Sequence, residues 1–297
     1  MHDLTQIEKE ALLGFLGTDS GRGDLTSPLF QGSVGTASLI CEDSCTISGL
    51  EAAEFLFSLT GCKVRFGKGI GPGTSVEAPR EVARVEGPVP GLLRAERVVL
   101  NALSRMSSIA TAAANASRTA KEASSGCRVA GTRKTTPGFG PFEKRALRDG
   151  GALPHRSDLA SLAMLKDNHL MALGGGKKAI YQGVSGLRTI YGPYTPIEVE
   201  VSTASDALSA LEAGADIIMF DNMPPTLVKK ASGLLRARSK QMGREISLEA
   251  SGGITLENIH LYAPHVDVIS MGALTYSAPH VGFKMDLIKV SRSRQKQ

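Results

Sequence analysis

With 297 residues, 42% of them hydrophobic, the chain is long enough to bury a substantial core and too long for one minimal domain; a barrel, alone or with a small companion domain, fits. The opening MHDLTQIEKEALLGFLG places acids among its apolar residues, which argues against a secretory signal. No stretch approaches the roughly 18 unbroken apolar residues of a membrane helix, so a soluble and by default cytoplasmic protein is expected.

The net charge of +5 is uneven: from Phe283 onward Lys284, Lys289, Arg292, Arg294 and Lys296 stand against Asp286 alone, which contributes +4 and leaves +1 for the remainder. The ending SRSRQKQ is therefore expected to be a solvated, frayed terminus. With no Trp, 5 Tyr and no interleaving of aromatics with bases, a nucleic-acid partner is not expected. Cys41, Cys45, Cys62 and Cys127 are the only cysteines, and a single CxxxC with no second pair reads as reduced thiols rather than a metal site.

In chain order, Leu4, Ile7, Leu12, Phe15 and Leu16 follow a helical period. TASLICED, CKVRF and EVARVEG read as short strands broken by turn residues. Residues 92–116 lack Gly and Pro and read as one helix with Leu93, Val99, Leu100, Leu103 and Met106 on its apolar side. Beyond it, apolar strands in CRVAGTRK, AMLKDNH, PIEVEV, DIIMFDN, ISLEASGG and DVISMG alternate with helices such as ASDALSALEAG and TLENIHLYA. That alternation predicts βαβ units and a parallel sheet, either a barrel, complete or open, or a doubly wound open sheet.

Each of these strands ends in polar residues of ligand type: Arg133 and Lys134; Lys166, Asp167, Asn168 and His169; Glu198 and Glu200; Asp221 and Asn222; Ser251, Gly252 and Gly253; and Gly272. A parallel barrel gathers the carboxyl ends of its strands on one face, where active sites are built. Arg133, Lys134, His155, Arg156 and Lys166 would form a cationic bowl suited to a polyanion. Glu198 and Glu200 share one strand face, with Lys134 and Lys166 as plausible partners. Glu200 and Asp221 suit sugar hydroxyls, or Mg²⁺ through water. SGG before ITLENI, read as a helix, would offer backbone N–H groups to a phosphate, although a tight turn would use the same glycines.

GTRKTTPGF at Gly131–Phe139, His155–Arg156, KDNH at Lys166–His169, EVEV at Glu198–Val201, Asp221–Asn222, EASGGIT at Glu249–Thr255 and GALTYSAP at Gly272–Pro279 occur in the order found in quinolinate phosphoribosyltransferases. Together with AERVVLNALSRMSSIAT and GDLTSPLF, they make nearly the whole chain resemble that family. The resemblance implies an α/β fold with an N-terminal α/β sandwich, residues 1–112, completed by a C-terminal helix at 277–297. It implies an irregular, open, TIM-like α/β barrel over residues 113–276. It also implies a homodimer or a hexamer built as a trimer of dimers, with Arg97 of one subunit reaching the site of another.

By position, Arg97, Arg133, His155, Arg156 and Lys166 would bind the quinolinate carboxylates, and Lys134 and Lys166 would face the pyrophosphate of phosphoribosyl pyrophosphate. Glu200 and Asp221 would hold the ribose hydroxyls with Mg²⁺, and Ser251, Gly252, Gly253 and Gly272 the 5′-phosphate. Lys134, Lys166, Glu200 and Asp221 would thus serve catalysis. The implied reaction is the decarboxylating synthesis of nicotinate mononucleotide in de novo NAD biosynthesis, with no organic cofactor.

This chain departs from the family pattern at Tyr276, often His; at Ser108, often Gly; and at Ser157–Asp158, often Gly-Leu. Pro154 before His155–Arg156 is shared with a related group associated with molybdate transport genes, but that group usually lacks an intact KDNH. Two unrelated readings are a Schiff-base barrel lyase using Lys134 or Lys166, and a nucleic-acid-binding protein relying on the tail.

Overall fold

The computed structural model describes residues 3–292. The chain begins with α1 (Gln6–Ser20), β1 (Ser33–Cys41), β2 (Cys45–Thr46), α2 (Leu50–Leu59), β3 (Lys63–Phe66), β4 (Ser75–Val76), β5 (Arg80–Pro88) and α3 (Val89–Ala123). There follow β6 (Arg128–Ala130), α4 (Gly140–Asp149), β7 (Ala163–Leu165), α5 (Asp167–Ala172), α6 (Gly176–Tyr191), β8 (Ile197–Val201), α7 (Ala204–Ala213), β9 (Ile217–Asp221) and α8 (Pro225–Gln241). The last elements are β10 (Ser247–Ser251), α9 (Ile259–Tyr262), β11 (Val268–Ser270), α10 (Ala273–Tyr276) and β12 (Phe283–Arg292). Two compact units result, one from Met1–Ala114, Thr135–Gly151 and Ser277–Gln297, the other from Asn115–Lys134 and Ala152–Tyr276. One unit boundary falls within α3.

The first unit holds an antiparallel sheet in the order β12-β1-β5-β3 and a small β2-β4 pair. Its core comes from Ala37 and Leu39 of β1, Val82 and Val85 of β5, Leu56 and Phe57 of α2, and Leu92, Leu103 and Met106 of α3. The start of α1 is fixed by a reciprocal cap: Thr5 N–H donates to Glu8 Oε2 at 2.7 Å, and Glu8 N–H to Thr5 Oγ1 at 3.3 Å. Gly49 leads into α2 at φ 90°, and a Cβ there would sit 3.0 Å from Met106 Sδ, so α2 meets α3 closely because this residue is glycine.

The C-terminal segment corrects the expectation of a helix. Phe283–Arg292 is a strand antiparallel to β1, because Phe283, Met285 and Leu287 alternate with Lys284 and Asp286 at the period of a strand. A bulge follows: Ala37 pairs with Leu287 and Thr36 with Lys289, skipping Ile288. Ser291 and Arg292, expected in the frayed terminus, pair with Val34 and Ser33, while the rest of SRSRQKQ lies outside the described residues.

The second unit holds a parallel sheet in the order β6-β11-β10-β9-β8-β7. The first strand of the unit pairs with the last, and the rest step through in sequence. That is the order of a barrel; a doubly wound sheet would reverse direction partway. The barrel is open between β6 and β7, where Leu153 makes an isolated parallel bridge to Ala130. Val199, Ile218, Phe220, Leu248, Ala250 and Ile269 are buried on its strands, and Ala207, Leu211, Val228 and Leu235 on α7 and α8. Among the described residues no helix is long and apolar enough to cross a membrane.

Candidate active site

The carboxyl ends of the six strands carry the polar residues expected from the sequence. At the end of β7, Lys166 reaches Glu200 on β8, with Nζ 2.5 Å from Oε2. The rest of KDNH serves local structure: the Lys166 backbone N–H donates to His169 Nδ1 at 3.0 Å, and Asn168 N–H to Asp167 Oδ1 at 2.7 Å. His169, a strand-end candidate by sequence, thus caps the start of α5.

Arg156 is buried, and its Nη1 donates to Leu162 O at 3.2 Å, closing the loop that precedes β7. Burial, and then the charge of Arg133, press its guanidinium below the usual arginine value, while Glu198 and Glu200 pull the other way. The departure at Ser157–Asp158 belongs to this loop. Asp158 Oδ1 accepts from Ala160 N–H at 2.9 Å and Ser161 N–H at 2.8 Å, bonds that a leucine at this position could not make.

His155 sits at φ 56°, left-handed backbone that a non-glycine residue adopts only where its surroundings hold it. Its Nε2 lies 3.4 Å from Glu249 Oε2 and 3.7 Å from Glu198 Oε2. Glu198 is fully buried, and burial first, then the neighbouring Glu249 charge, pushes its carboxyl up to about 9 against the pull of Arg156 and Lys166. Glu249 was not singled out by sequence. It sits two residues before Ser251 on the same face of β10, level in register with Met219 of β9 and Glu200 of β8, and it meets Glu198 through packing inside the barrel.

The next two strand ends interlock. Asn222, at φ 52°, donates its N–H to Ser251 O at 2.9 Å and its Nδ2 to Asp221 Oδ2 at 2.8 Å. Gly252 has φ 85°, and a Cβ there would fall 2.3 Å from Asn222 Oδ1. Gly253 follows at φ 63° with open space around it, leaving bare backbone beside Asp221. The expected helix directly after SGG is absent. Thr255–Asn258 forms a turn, with Thr255 N–H donating to Asn258 Oδ1 at 2.8 Å, and α9 starts only at Ile259. Any anion held here is held by the glycine turn, not by a helix end.

Lys134 is exposed, with its backbone N–H on Thr132 Oγ1 at 3.0 Å and its carbonyl accepting from Thr275 Oγ1 at 2.6 Å. A Cβ at Gly272 would come within 3.0 Å of Lys134 Cδ, so the bare glycine gives the lysine stem its path along the last loop. The remainder of TRKTTPGF turns to the first unit. Thr136 donates through N–H at 3.1 Å and Oγ1 at 2.9 Å to Glu143, which also holds Arg105 at 2.7 Å. Ser108, in place of glycine, accepts Val281 N–H at 3.1 Å. Arg97 is exposed on α3 in the first unit, and Tyr276 is exposed at the end of α10.

Hard oxygen donors suit Mg²⁺, and Glu200 and Asp221 provide them. Lys166 and Asn222 already occupy part of each carboxylate, which leaves room for an ion held through water. His155, Glu198 and Glu249 also place donor atoms within 4.8 Å of one another, but Arg156 and Lys166 already supply positive charge beside Glu198.

An open α/β barrel with cations, acids and a bare glycine turn along one rim defines a transferase that handles phosphate-bearing anions. The chain belongs to the quinolinate phosphoribosyl transferase family: its N-terminal domain model matches residues 24–107 and its C-terminal domain model residues 109–286. The human nicotinate-nucleotide pyrophosphorylase [carboxylating] is 41% identical over 84% of this chain and 82% of its own length. The Bacillus subtilis protein named probable nicotinate-nucleotide pyrophosphorylase [carboxylating] is 36% identical over 94% of this chain and 93% of its own length. Among solved structures, NadC from Streptococcus pyogenes superposes with a TM-score of 0.86 at 30% identity, covering 99% of this chain and all of that one. The family is one of pentosyltransferases, and the molybdate-associated alternative is not favoured.

Proposed function

We propose that the chain transfers the phosphoribosyl group of phosphoribosyl pyrophosphate to quinolinate, releasing pyrophosphate and carbon dioxide and yielding nicotinate mononucleotide. The observation that carries this reading is the pairing of Lys166 with Glu200 beside Arg156 and Arg133, at the same rim as the Asn222–Gly252 turn. One end of the rim suits a dicarboxylate and the other a phosphate.

Arg133, His155, Arg156 and Lys166 bind the two quinolinate carboxylates and turn the ring nitrogen toward the anomeric carbon, so much of the rate enhancement is positioning. Lys134, lying along Gly272, meets the departing pyrophosphate. Glu200 and Asp221 hold the ribose hydroxyls and favour positive charge on the sugar. Ser251, Gly252, Gly253 and Gly272 receive the 5′-phosphate. Mg²⁺, held near Glu200 and Asp221 through water, would supply charge neutralisation for the pyrophosphate. Once the nitrogen is alkylated, the bond to the adjacent carboxylate breaks, its electron pair stays on the ring carbon beside the cationic nitrogen, and that carbon takes a proton from water, so the loss of carbon dioxide needs no organic cofactor.

The reading includes a homodimer, or a hexamer built of such dimers, in which Arg97 serves the site of the partner subunit. It also includes action in the cytoplasm, since both substrates carry several charges and cross no bilayer unaided. Incubation with quinolinate, phosphoribosyl pyrophosphate and Mg²⁺ tests the activity by release of nicotinate mononucleotide. Equal rates with nicotinate, which lacks the second carboxylate, would overturn it. For Arg97, partial recovery of activity on mixing Arg97→Ala with Lys166→Ala protein is expected; no recovery with subunit exchange demonstrated would remove it from a shared site.

A further inference from the structure

Beneath the rim, beside His155, lie two acids that the proposed reaction leaves unused. Glu198 and Glu249 are almost completely buried, and Glu198 Oε1 and Oε2, Glu249 Oε1 and His155 Nε2 have no hydrogen-bond partner. Buried polar atoms without partners cost free energy, so three such side chains in one place signal a constraint other than packing. The cluster contains one residue from the substrate bowl, His155, and two acids from strands β8 and β10.

The geometry is directional. His155 Nε2 is buried and faces both carboxyl groups, at 3.4 and 3.7 Å, while the side chain as a whole keeps 11% of its surface open. The ring nitrogen left to meet a ligand is Nδ1. The backbone at this residue is left-handed, a conformation strained for a non-glycine residue, and the chain maintains it just where the imidazole must be aimed. A metal ion would satisfy the same donors, but the positive charge beside Glu198 is already provided by Arg156 and Lys166.

We propose that Glu198 and Glu249 are positioning residues for the dicarboxylate substrate: together they fix the imidazole of His155 through Nε2 and present Nδ1 as the donor edge to a substrate carboxylate. A carboxylate that orients a histidine from behind is a recurring arrangement, best known where the histidine binds a metal. Here the ligand in front is an organic anion. The inference rests on the quinolinate reading above.

The test is a double-mutant cycle on steady-state parameters. Glu249→Gln should raise KM for quinolinate about tenfold, the scale for losing a group that orients a ligand-binding histidine, and leave KM for phosphoribosyl pyrophosphate within about twofold. In a His155→Ala background the same substitution should change KM for quinolinate by less than about twofold, because its effect passes through His155. Glu249→Asp carries the same cycle if the glutamine variant fails to fold. An undiminished effect in the His155→Ala background, or an equal rise in both KM values, overturns the inference while leaving the quinolinate reading intact. Wild-type protein that binds no quinolinate overturns that reading, and the inference falls with it.

Discussion

Both units bury glutamates, and Glu8 and Glu143 of the first are bonded differently from Glu198 of the second. In the first unit Glu8 accepts from Thr5 N–H at 2.7 Å and from Arg145 Nη2 at 3.0 Å, and Glu143 accepts from Arg105 and Thr136. In the barrel unit Glu198 is as deeply buried as Glu143, and neither of its oxygens has a hydrogen-bond partner. Partnered charges of the first kind hold segments of chain together: α1 to α4 through Arg145, and the Thr136 turn to α3 through Glu143 and Arg105. Glu198 and Glu249, beneath the barrel rim, keep bonding capacity in reserve. Saturation of hydrogen bonding, rather than burial, separates Glu8 and Glu143 from Glu198.

That contrast is open to attack from both sides. The largest effect is expected from Arg145→Ala, which strands the buried Glu8 carboxylate: unfolding free energy should drop by about 3 kcal/mol, with turnover per folded molecule unchanged. Denaturant melts and active-site titration would show it, and a variant that keeps its stability while losing turnover would erase the distinction. Lys134→Ala should do the reverse. Catalytic efficiency falls at least about a hundredfold, mainly in kcat, while the melting temperature stays put. A loss confined to KM would reassign Lys134 to binding alone.

Gly252→Ala sharpens the comparison within the barrel. The new methyl would overlap Asn222 Oδ1 at 2.3 Å on a backbone at φ 85°, so KM for phosphoribosyl pyrophosphate should rise about tenfold, with KM for quinolinate little changed. Initial-rate measurements with each substrate varied would decide it.

Acidification gives a smaller, signed effect. Burial pushes the Glu8 carboxyl up, but the hydrogen bonds from Arg145 and Thr5 outweigh it and hold the group below its ordinary value. The folded state therefore binds its proton less readily than the unfolded chain. The stabilisation is complete above the ordinary carboxylate range and disappears as pH falls through the depressed value. The stability gap between wild type and Arg145→Ala should accordingly narrow on acidification; a constant gap would detach Glu8 from it. The smallest effect is expected from deleting residues 293–297. That segment contains none of the site residues, so catalytic efficiency should change less than about threefold.

Much of the barrel was readable because each of its strands is a short apolar run ending in polar residues, and all six strands appear where those runs lie. The residues of the rim were readable too, since a parallel sheet gives every strand end the same direction. What escaped depends on neighbours distant in sequence. Glu249 stands in the sequence only as the residue before the ASGG run; register sets it level with Met219 and Glu200, and packing inside the barrel brings it to His155 and Glu198. His169 looked available until the Lys166 N–H claimed it. The C-terminal strand was misjudged for a different reason: the resemblance suggested a helix, although Phe283, Met285 and Leu287 alternate as a strand edge requires.

The fit of Asn222 against Gly252 has a consequence in descent as well as in chemistry. Asn222 fills the space in front of residue 252, so residue 252 has no room to grow while Asn222 stands. A lineage exploring other sugar phosphates cannot enlarge residue 252 without first shortening residue 222, and it passes through a shortened Asn222 at the cost of the bond that holds Asp221. Two loops about thirty residues apart in the chain are thereby coupled through one side chain.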